Sequence, residues 1–217
     1  MASSSEILKE KRNPEINKLK NRVSKIRTPN LLIRHYEIED AEELIQILKP
    51  NIDHMLPWIP WAKEEPESLE NKQHRIQKWQ NNHRLDIDYY TYGIFTQEKK
   101  MIGTVYVFSR EKNSYLEIGY WIDKNETGKG YATECTYAIT KLIFKHINIE
   151  KTEIHCDITN TASAKIPYKL GFTNEYNKRK LEKDENEVRR IQMVWVMFKE
   201  EFIINHLYEP VVFIEDE

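Results

Sequence analysis

The stretch Asn125-Glu-Thr-Gly-Lys-Gly-Tyr-Ala132 separates two segments of different periodicity. The segment before it, Tyr115–Ile122, is apolar and rich in residues that favour β-strands, whereas the segment after it has apolar residues at helical spacing. The glycines therefore lie where a strand passes into a helix. The start of a helix carries unpaired N–H groups and a partial positive charge, and Gly128 and Gly130 have no Cβ to keep a ligand away. This pattern predicts that the loop binds a phosphorylated cofactor.

Two common phosphate-binding patterns do not describe this loop. The P-loop pattern needs a second glycine upstream and a Ser or Thr directly after Gly-Lys, and here Gly130 follows Lys129. The dinucleotide pattern G-x-G-x-x-G begins at Gly128, but Thr133 stands at its last position. The loop instead resembles the pyrophosphate loop of the GNAT N-acetyltransferase superfamily, Q/R-x-x-G-x-G/A, with Asn125 in place of Gln or Arg.

Two further segments carry the same resemblance. Asp157-Ile-Thr-Asn-Thr-Ala-Ser-Ala-Lys-Ile-Pro-Tyr-Lys-Leu-Gly-Phe172 is similar to the superfamily segment N-x-x-S/A…Y-x-K/R-L-G-F and follows the glycine loop at the expected spacing. Leu56-Pro-Trp-Ile-Pro-Trp61 resembles the L-x-P-W-x-P-W segment of the Rim-type acetyltransferases, which acetylate the N-terminal amino group of ribosomal proteins. The resemblance covers residues 29–198, and it identifies the chain as a member of the superfamily.

The resemblance implies one α/β (α+β) fold, with a GNAT-like mixed, mostly antiparallel central sheet and helices on both faces. We expect a basic N-terminal arm at 1–28, the acetyltransferase domain at 29–198 and a C-terminal helix or tail at 199–217. Apolar alternation and turn residues predict strands at 30–35, 89–96, 101–108, 115–122, 151–157 and 189–198. Helical spacing predicts helices at 68–80, 130–146, 161–170 and 199–208, and a first helix whose apolar face comprises Ala41, Leu44, Ile45 and Leu48.

The charge is uneven along the chain. The protein has 217 residues, 40% of them hydrophobic, which suffices for one core, and its net charge of −2 gives no sign of nucleic-acid or membrane binding. Residues 1–28, however, contain eight Lys or Arg and only three acidic residues. Such an arm could contact a ribosomal or acidic partner, although a solvated helix over 6–26, interrupted at Pro14, would have the same composition.

Cysteine usage and hydropathy predict a cytoplasmic protein, either a monomer or a homodimer. Cys135 and Cys156 lie in a predicted helix and strand, have no metal-ligand spacing and are expected to be ordinary buried thiols. The N-terminus has no apolar segment typical of a signal peptide, and no run approaches the length of a membrane span. The histidines are scattered, so no metal site is predicted.

The resemblance implies that acetyl-CoA is the co-substrate. Its pyrophosphate would bind backbone N–H groups of the glycine loop, at Thr127, Gly128, Lys129, Gly130, Tyr131 and Ala132. The N–H of Ile122 would polarise the thioester carbonyl. Asn160 and Ser163 match positions that contact the cofactor arm, and an N-cap and first-turn role in the following helix is equally compatible with them.

The same resemblance implies roles for the catalytic residues. Tyr168 occupies the position of a tyrosine that protonates the leaving thiolate, with Ser163 as the alternative acid and a packed core tyrosine as the alternative interpretation. Glu117 is the candidate general base, and strand alternation places it on one face with Tyr115 and Gly119. A solvent-facing or ion-paired glutamate is the alternative for Glu117, and Asp86 and Asp88 are weaker candidates for the base.

The acceptor groove would be walled by Trp58 and Trp61, with Glu117 facing the amine. The sequence favours direct acetyl transfer in a ternary complex to a protein N-terminal α-amine. A polyamine or aminoglycoside acetyltransferase stays an alternative, as does a non-catalytic acyl-CoA-binding module that uses the basic arm. The presence of Glu117, Asn160 and Tyr168 argues against the non-catalytic module.

Overall fold

One open β-sheet organises the chain. The computed structural model describes residues 23–85, 89–110, 115–147, 149–175, 180–183, 189–202 and 210–214. The strands within this part of the chain are β1 Lys25–Arg27, β2 Leu31–His35, β3 Tyr89–Thr96, β4 Met101–Arg110, β5 Tyr115–Ile122, β6 Lys151–Asp157, β7 Thr173–Asn174, β8 Lys180–Lys183, β9 Arg189–Phe198 and β10 Val212–Ile214. The spatial order is β10-β1-β2-β3-β4-β5-β6-β9-β7, and β8 also pairs with β9.

All neighbouring strands in this order run antiparallel except β5 and β6, which are parallel. Parallel neighbours need a crossover connection, which here is the glycine loop and the helix after it. The prediction of a mixed, mostly antiparallel sheet is therefore confirmed.

Helices cover both faces of the sheet. They are α1 Ala41–Leu48, α2 Ile52–Met55, α3 Leu69–Leu85, α4 Tyr131–Leu142, α5 Thr161–Lys169 and α6 Lys199–Phe202. A π-helical turn at Ile143–Ile147 continues α4, and 3-10 turns occupy Ile38–Asp40, Lys49–Asn51, Pro60–Glu64 and Lys124–Glu126. The apolar residues of α1 and α3 pack with those of one face of the sheet, and the apolar residues of α4 pack with those of the other.

Strands β5, β6 and β9 begin and end where the sequence predicted, and β4 extends to Arg110. One detail of the helix predictions is wrong. On α1 Ile47 is buried together with Ala41, Leu44 and Leu48, whereas Ile45 is half-buried. This error arises because the buried face of a helix depends on where the neighbouring elements pack. The spacing of apolar residues defines that face only to within one residue.

Both flanking segments contribute strands to the sheet. β1 pairs with β2 and with β10, and it includes residues for which a helix over 6–26 was predicted, so that helix prediction is wrong at its end. Residues 1–22, which hold most of the basic arm, lie outside the described residues, as do 203–209 of the predicted C-terminal helix. Strands from residues on both sides of 29–198 thus join the same sheet.

Candidate active site

Strands β5 and β6 separate soon after they meet. Their pairing comprises Leu116 with Thr152 and Glu117 with Glu153, and the rest of β5 has no partner on β6. On its other edge β5 is paired with β4 along its whole length. The sheet therefore contains an internal cleft, one side of which is the open edge of β5 between Ile118 and Ile122.

The backbone direction along this edge follows from two hydrogen bonds. Asp123 donates its N–H to the Ile102 carbonyl on β4 at 2.8 Å, and Thr152 on β6 donates its hydroxyl to the Leu116 carbonyl at 2.7 Å. Since the backbone groups of successive strand residues point to opposite edges, the N–H groups of Tyr120 and Ile122 point into the cleft. They are placed to bond an extended ligand as a further strand would.

The glycine loop lies at the end of this edge. Gly128 and Gly130 have φ values of +80° and +89°, which side chains with a Cβ rarely adopt. A Cβ added at either glycine would meet no protein atom within 4 Å. Gly130 is the N-cap residue of α4, and no side chain of the described residues caps this helix start. The loop thus presents uncapped N–H groups around open space, a suitable cradle for a phosphate group.

A buried asparagine holds the start of this loop. Asn51, which is fully buried, donates to the Asp123 carboxylate at 3.1 Å and accepts the backbone N–H of Lys124 at 2.8 Å. Asp123 in turn accepts the N–H of Asn125 at 3.1 Å. The loop is therefore fixed to the segment after α1. Sequence analysis missed Asn51, whose only signal was an amide beside Pro50, a common feature of turns.

The charges beside the loop favour an anion. Lys100 and Lys129 both contact the Glu126 carboxylate at 2.7 Å, so two positive charges share one negative charge. Hydrogen bonds from Lys100 and then from Lys129 hold the pKa of Glu126 below its ordinary value. The group remains ionised near neutral pH, and the local sum of these charges is positive.

Two candidate acids lie on α5. Asn160 is the N-cap of this helix and accepts the N–H of Ser163 at 3.1 Å, as the N-cap interpretation predicted. The Ser163 hydroxyl lies 3.3 Å from the Tyr120 hydroxyl. Tyr168 is 72% exposed and meets Trp195 edge-on at 6.5 Å between ring centroids, so the interpretation of Tyr168 as a core residue is wrong.

Glu117 lies on the opposite face of the sheet from Ser163. It is directly across from Phe108 on β4, which packs with α1 and α3, whereas Tyr120 packs against the apolar cluster that includes α4. Glu117 Oε2 accepts a hydrogen bond from Arg110 Nε at 2.7 Å and lies 3.6 Å from His155 Nδ1. The predicted ion-paired interpretation is thus present, together with a histidine that sequence analysis did not single out.

A cavity of about 130 Å³ opens on the Glu117 face. It lies between α1, the turn that follows α2, α3 and the strands β3 to β5. Trp61 lines this cavity with Trp121, while Trp58 is 37% exposed and is not among the lining residues, and neither is Glu117. The lining residues are Leu44, Leu48, Trp61, Glu65, Lys72, Arg75, Trp79, Tyr89, Thr104, Tyr106 and Trp121.

A buried ion cluster holds the Trp61 segment against α3. Lys72, whose side chain is 1% exposed, contacts the carboxylates of both Glu65 and Glu67, the latter at 3.0 Å. Arg75 Nε donates to Glu67 at 2.9 Å. Burial alone would raise the pKa of Glu67, but hydrogen bonds from Arg75 and Lys72 hold it below its ordinary value. Glu67 therefore stays ionised at neutral pH, and the cluster connects the cavity wall to the helix.

Asp86 and Asp88 lie outside the described residues. Within the described part of the chain, no cluster of histidine, cysteine and acidic side chains could hold a metal ion. None of the helices described here is long and apolar enough to cross a membrane.

An open strand edge that ends at a glycine-rich helix start is the arrangement that the resemblance to the acetyltransferase superfamily implies. The family model "Acetyltransferase (GNAT) domain" matches residues 30–173, and the chain belongs to this family of acetyltransferase enzymes. The chain is 28% identical over 153 residues to "Probable N-acetyltransferase YjcK" of Bacillus subtilis (strain 168), covering 69% of this chain and 84% of the relative.

Two solved structures share this fold. The structure titled RimL, a ribosomal alpha-N-protein acetyltransferase in complex with coenzyme A, has a TM-score of 0.71 at 20% identity, covering 80% of this chain and 97% of its own. A self-immunity acetyltransferase, MccE, in complex with acetyl-CoA and AMP has a TM-score of 0.68 at 21% identity, covering 78% and 93%. At these identities the likeness shows the fold.

The ion cluster gives a testable prediction about stability. Replacing Lys72 by Met leaves the buried Glu65 carboxylate without its cation and Glu67 with Arg75 alone, and we expect a loss of about 3–5 kcal/mol in the free energy of unfolding. The measurement is urea denaturation of the Lys72→Met protein beside Lys78→Met, an exposed lysine on the same helix that should cost little. Equal unfolding midpoints for the two variants would contradict the role given to Lys72.

Proposed function

We propose that this protein transfers the acetyl group of acetyl-CoA to the N-terminal α-amine of a protein, as a Rim-type enzyme does. The observation that carries the proposal is the cleft between β5 and β6. Its open edge ends at the uncapped glycine loop, the Ser163 hydroxyl on α5 meets Tyr120 on one face of β5, and the other face carries Glu117 and the aromatic cavity.

The glycine loop suits the pyrophosphate of acetyl-CoA. The backbone N–H groups from Thr127 to Ala132 surround open space, and Lys100 and Lys129 supply positive charge beside it. Side-chain bulk at Gly128 or Gly130 would fill the volume that the phosphates need. The fit depends on backbone groups, so the loop tolerates Asn125 where the family pattern has Gln or Arg.

The open edge of β5 suits the pantetheine arm. Its amides can pair with the backbone groups of Tyr120 and Ile122, which point into the cleft. The N–H of Ile122 then donates to the thioester carbonyl and stabilises the negative charge that develops on its oxygen during attack. In this role the residue acts through its backbone, so its side-chain identity matters little.

The two faces of the sheet separate the base from the acid. The amine nitrogen attacks the carbonyl carbon, the C–N bond forms, and the nitrogen loses one proton to Glu117 on the cavity face. The C–S bond breaks, and the thiolate takes a proton from the hydroxyl of Tyr168 or Ser163 on the α5 face. The products are the acetylated amine and the free thiol of coenzyme A.

Direct transfer agrees with the protonation of the Cys156 thiol. Cys156 lies on β6 and is buried, and burial raises the pKa of its thiol to about 11. A neutral thiol is a poor nucleophile, so an acetylated cysteine intermediate is disfavoured. Acetyl-CoA and the amine would instead bind together in a ternary complex.

The size of the cavity favours a peptide N-terminus over an aminoglycoside. Sites for drug-sized ligands have volumes of about 300–1,000 Å³, whereas this cavity measures about 130 Å³. An acceptor that inserts only its first residue fits such a space, and the rest of a peptide can lie outside it near the exposed Trp58. A molecule of several sugar rings would need a larger opening.

Charge argues against a polyamine. The ionised residues that line the cavity are Glu65, Lys72 and Arg75, so the cavity offers no excess of negative charge to a polycation. An α-amine also loses its proton more readily, because its ordinary pKa is about 7.7–8.0 and that of an alkyl amine is about 10.4. Both points favour the α-amine of a protein, and the RimL structure supplies a precedent with this fold.

The first prediction of this proposal concerns the glycine loop. A Gly130→Val protein should bind acetyl-CoA at least about a hundredfold more weakly, because losing two phosphate hydrogen bonds costs about 1.5–3 kcal/mol each. Gly171→Val is the matched control, since Gly171 also has positive φ, +83°, but follows α5. The measurement is isothermal titration calorimetry on variants with native circular dichroism. Equal affinity of wild type and Gly130→Val for acetyl-CoA would contradict the assignment of the glycine loop as the pyrophosphate site.

The second prediction concerns the acid. Tyr168→Phe keeps the ring and removes the donor, so kcat should fall by about 10²–10⁴-fold while the Kd for acetyl-CoA is retained. Ser163→Ala, measured beside it, should have a smaller effect, because the Ser163 hydroxyl is already engaged with Tyr120. A large loss in Ser163→Ala with none in Tyr168→Phe would transfer the role to Ser163, and no loss in either would exclude both.

The third prediction tests the proposed function itself. In a competition at neutral pH, a Ser- or Ala-starting peptide should be acetylated in preference to spermidine and to an aminoglycoside. Trp61→Ala should raise the KM for the peptide at least about tenfold, equivalent to about 1.4 kcal/mol, whereas Trp58→Ala, outside the cavity, should have a smaller effect. Preference for spermidine, or a Trp61→Ala enzyme with unchanged KM, would overturn the choice of acceptor.

A further inference from the structure

A histidine and two glutamates form a buried row beside the cleft. Glu117 on β5 is in register with Glu153 on β6, so their side chains lie on the same face, and His155 comes two residues after Glu153 on that face. The side chain of His155 is 4% exposed, and its Nε2 lies 2.7 Å from Glu153 Oε2. Its Nδ1 lies 3.6 Å from Glu117 Oε2. The row begins where the two strands separate.

The contacts of Glu153 decide where the histidine carries its proton. Burial alone would raise the pKa of Glu153, but hydrogen bonds from His155 and Lys151 lower it to about 2. An ionised carboxylate only accepts hydrogen bonds, so His155 Nε2 must be the donor. In a neutral imidazole the other nitrogen then has a lone pair, and this Nδ1 faces Glu117.

Glu117 and His155 are thus arranged to share one proton. With both groups deprotonated, the lone pairs of Nδ1 and Oε2 face each other at 3.6 Å, which is unfavourable and too long for a hydrogen bond. One proton between them converts this repulsion into a hydrogen-bonded ion pair. Arg110 and His155 both approach Oε2 of Glu117, so among the described residues Oε1 is left for an incoming proton donor.

We infer that His155, held by Glu153, is a positioning residue that receives through Glu117 the proton lost by the acceptor amine. The inference rests on the proposed transfer of acetyl to an amine. The proton leaves the amine nitrogen for Glu117 Oε1, rotation of the resulting carboxyl group turns this same O–H toward His155 Nδ1, Nδ1 takes the proton, and the imidazolium remains hydrogen-bonded to Glu153 through Nε2. Solvent removes the proton after the product leaves, and no electron transfer is involved.

The charged groups in contact with this row of side chains come from two neighbouring strands. The charged groups that contact it in the described part of the chain are Arg110 on β4 and Lys151 on β6, and Lys151 also lies 4.3 Å from the centre of the Tyr115 ring. The β9 residues in register with Glu153 and His155 are Val196 and Val194, which are not charged. An imidazole is ordinarily a base about a hundredfold stronger than a carboxylate, so replacing His155 removes the stronger base of the pair.

The test compares the pH dependence of kcat/KM for wild type, His155→Gln and the matched control His74→Gln, an exposed histidine on α3. We expect His155→Gln to lower kcat by about 10–100-fold. This loss is at or below the low end of the range of about 10²–10⁴-fold for general acid–base catalysis, because Glu117 remains. Its acid limb should move to lower pH by about one unit or more, because the base is then a carboxylate alone. Kd for acetyl-CoA and the melting temperature are measured in parallel, since a purely structural role would change stability without moving the limb.

A second measurement uses the wild-type protein, so the inference stays testable if His155→Gln does not fold. Nitrogen-15 NMR should show His155 with its proton on Nε2 at high pH and on both nitrogens at low pH, with the change at the pH of the acid limb. A ring protonated on Nδ1 alone, or a His155→Gln enzyme with an unchanged limb and rate, would overturn the inference. A wild-type protein that acetylates no amine while showing the expected NMR titration would instead count against the proposed function.

Discussion

The separation of β5 from β6 is the constraint on which the rest of the molecule depends. An unpaired strand edge inside a sheet leaves backbone groups without partners, and such edges are normally paired or covered. Here the pairing ends after Glu117 and Glu153, because β6 continues with β9 along its whole length while β5 continues with β4. In the proposed function this unpaired edge is the site of the cofactor arm, and a ligand that adds hydrogen bonds there stabilises the folded protein as it binds.

The same separation exposes the cleft to side chains from both faces of the sheet. Side chains alternate along a strand, so Glu117 and Trp121 face α1 and α3 while Tyr120 faces the cluster that includes α4. In the proposed mechanism a ligand in the cleft is reached from one face by Glu117 and from the other by a hydroxyl of α5. Proton removal and proton donation then occur on opposite faces of the sheet, where the base and the acid cannot neutralise each other directly.

The elements that could be predicted from the sequence are those whose conformation depends on residues close together in the chain. Strand Tyr115–Ile122 and the glycine loop carry their own alternation and turn chemistry, so both were found. The contact of His155 with Glu117 joins residues that are far apart in sequence, and no local pattern reports it. Trp58 and Trp61 look equivalent in sequence, and only the 3-10 turn Pro60–Glu64 and the ion cluster behind it bring Trp61 into the cavity.

The two halves of the proposed site are built from different kinds of groups. The cofactor half of the site is made largely of backbone groups from one continuous segment, so its geometry survives wide changes in side chains. The acceptor half is made of side chains from α1, the Trp61 turn, α3 and three strands, and its shape depends on the buried charges of Glu65, Lys72 and Glu67. Removing Lys72 would leave the buried Glu65 carboxylate without its cation, which is costly. Under the proposed function, a change of acceptor specificity therefore requires coordinated substitutions in the cavity wall, whereas the backbone-built cofactor site stays the same.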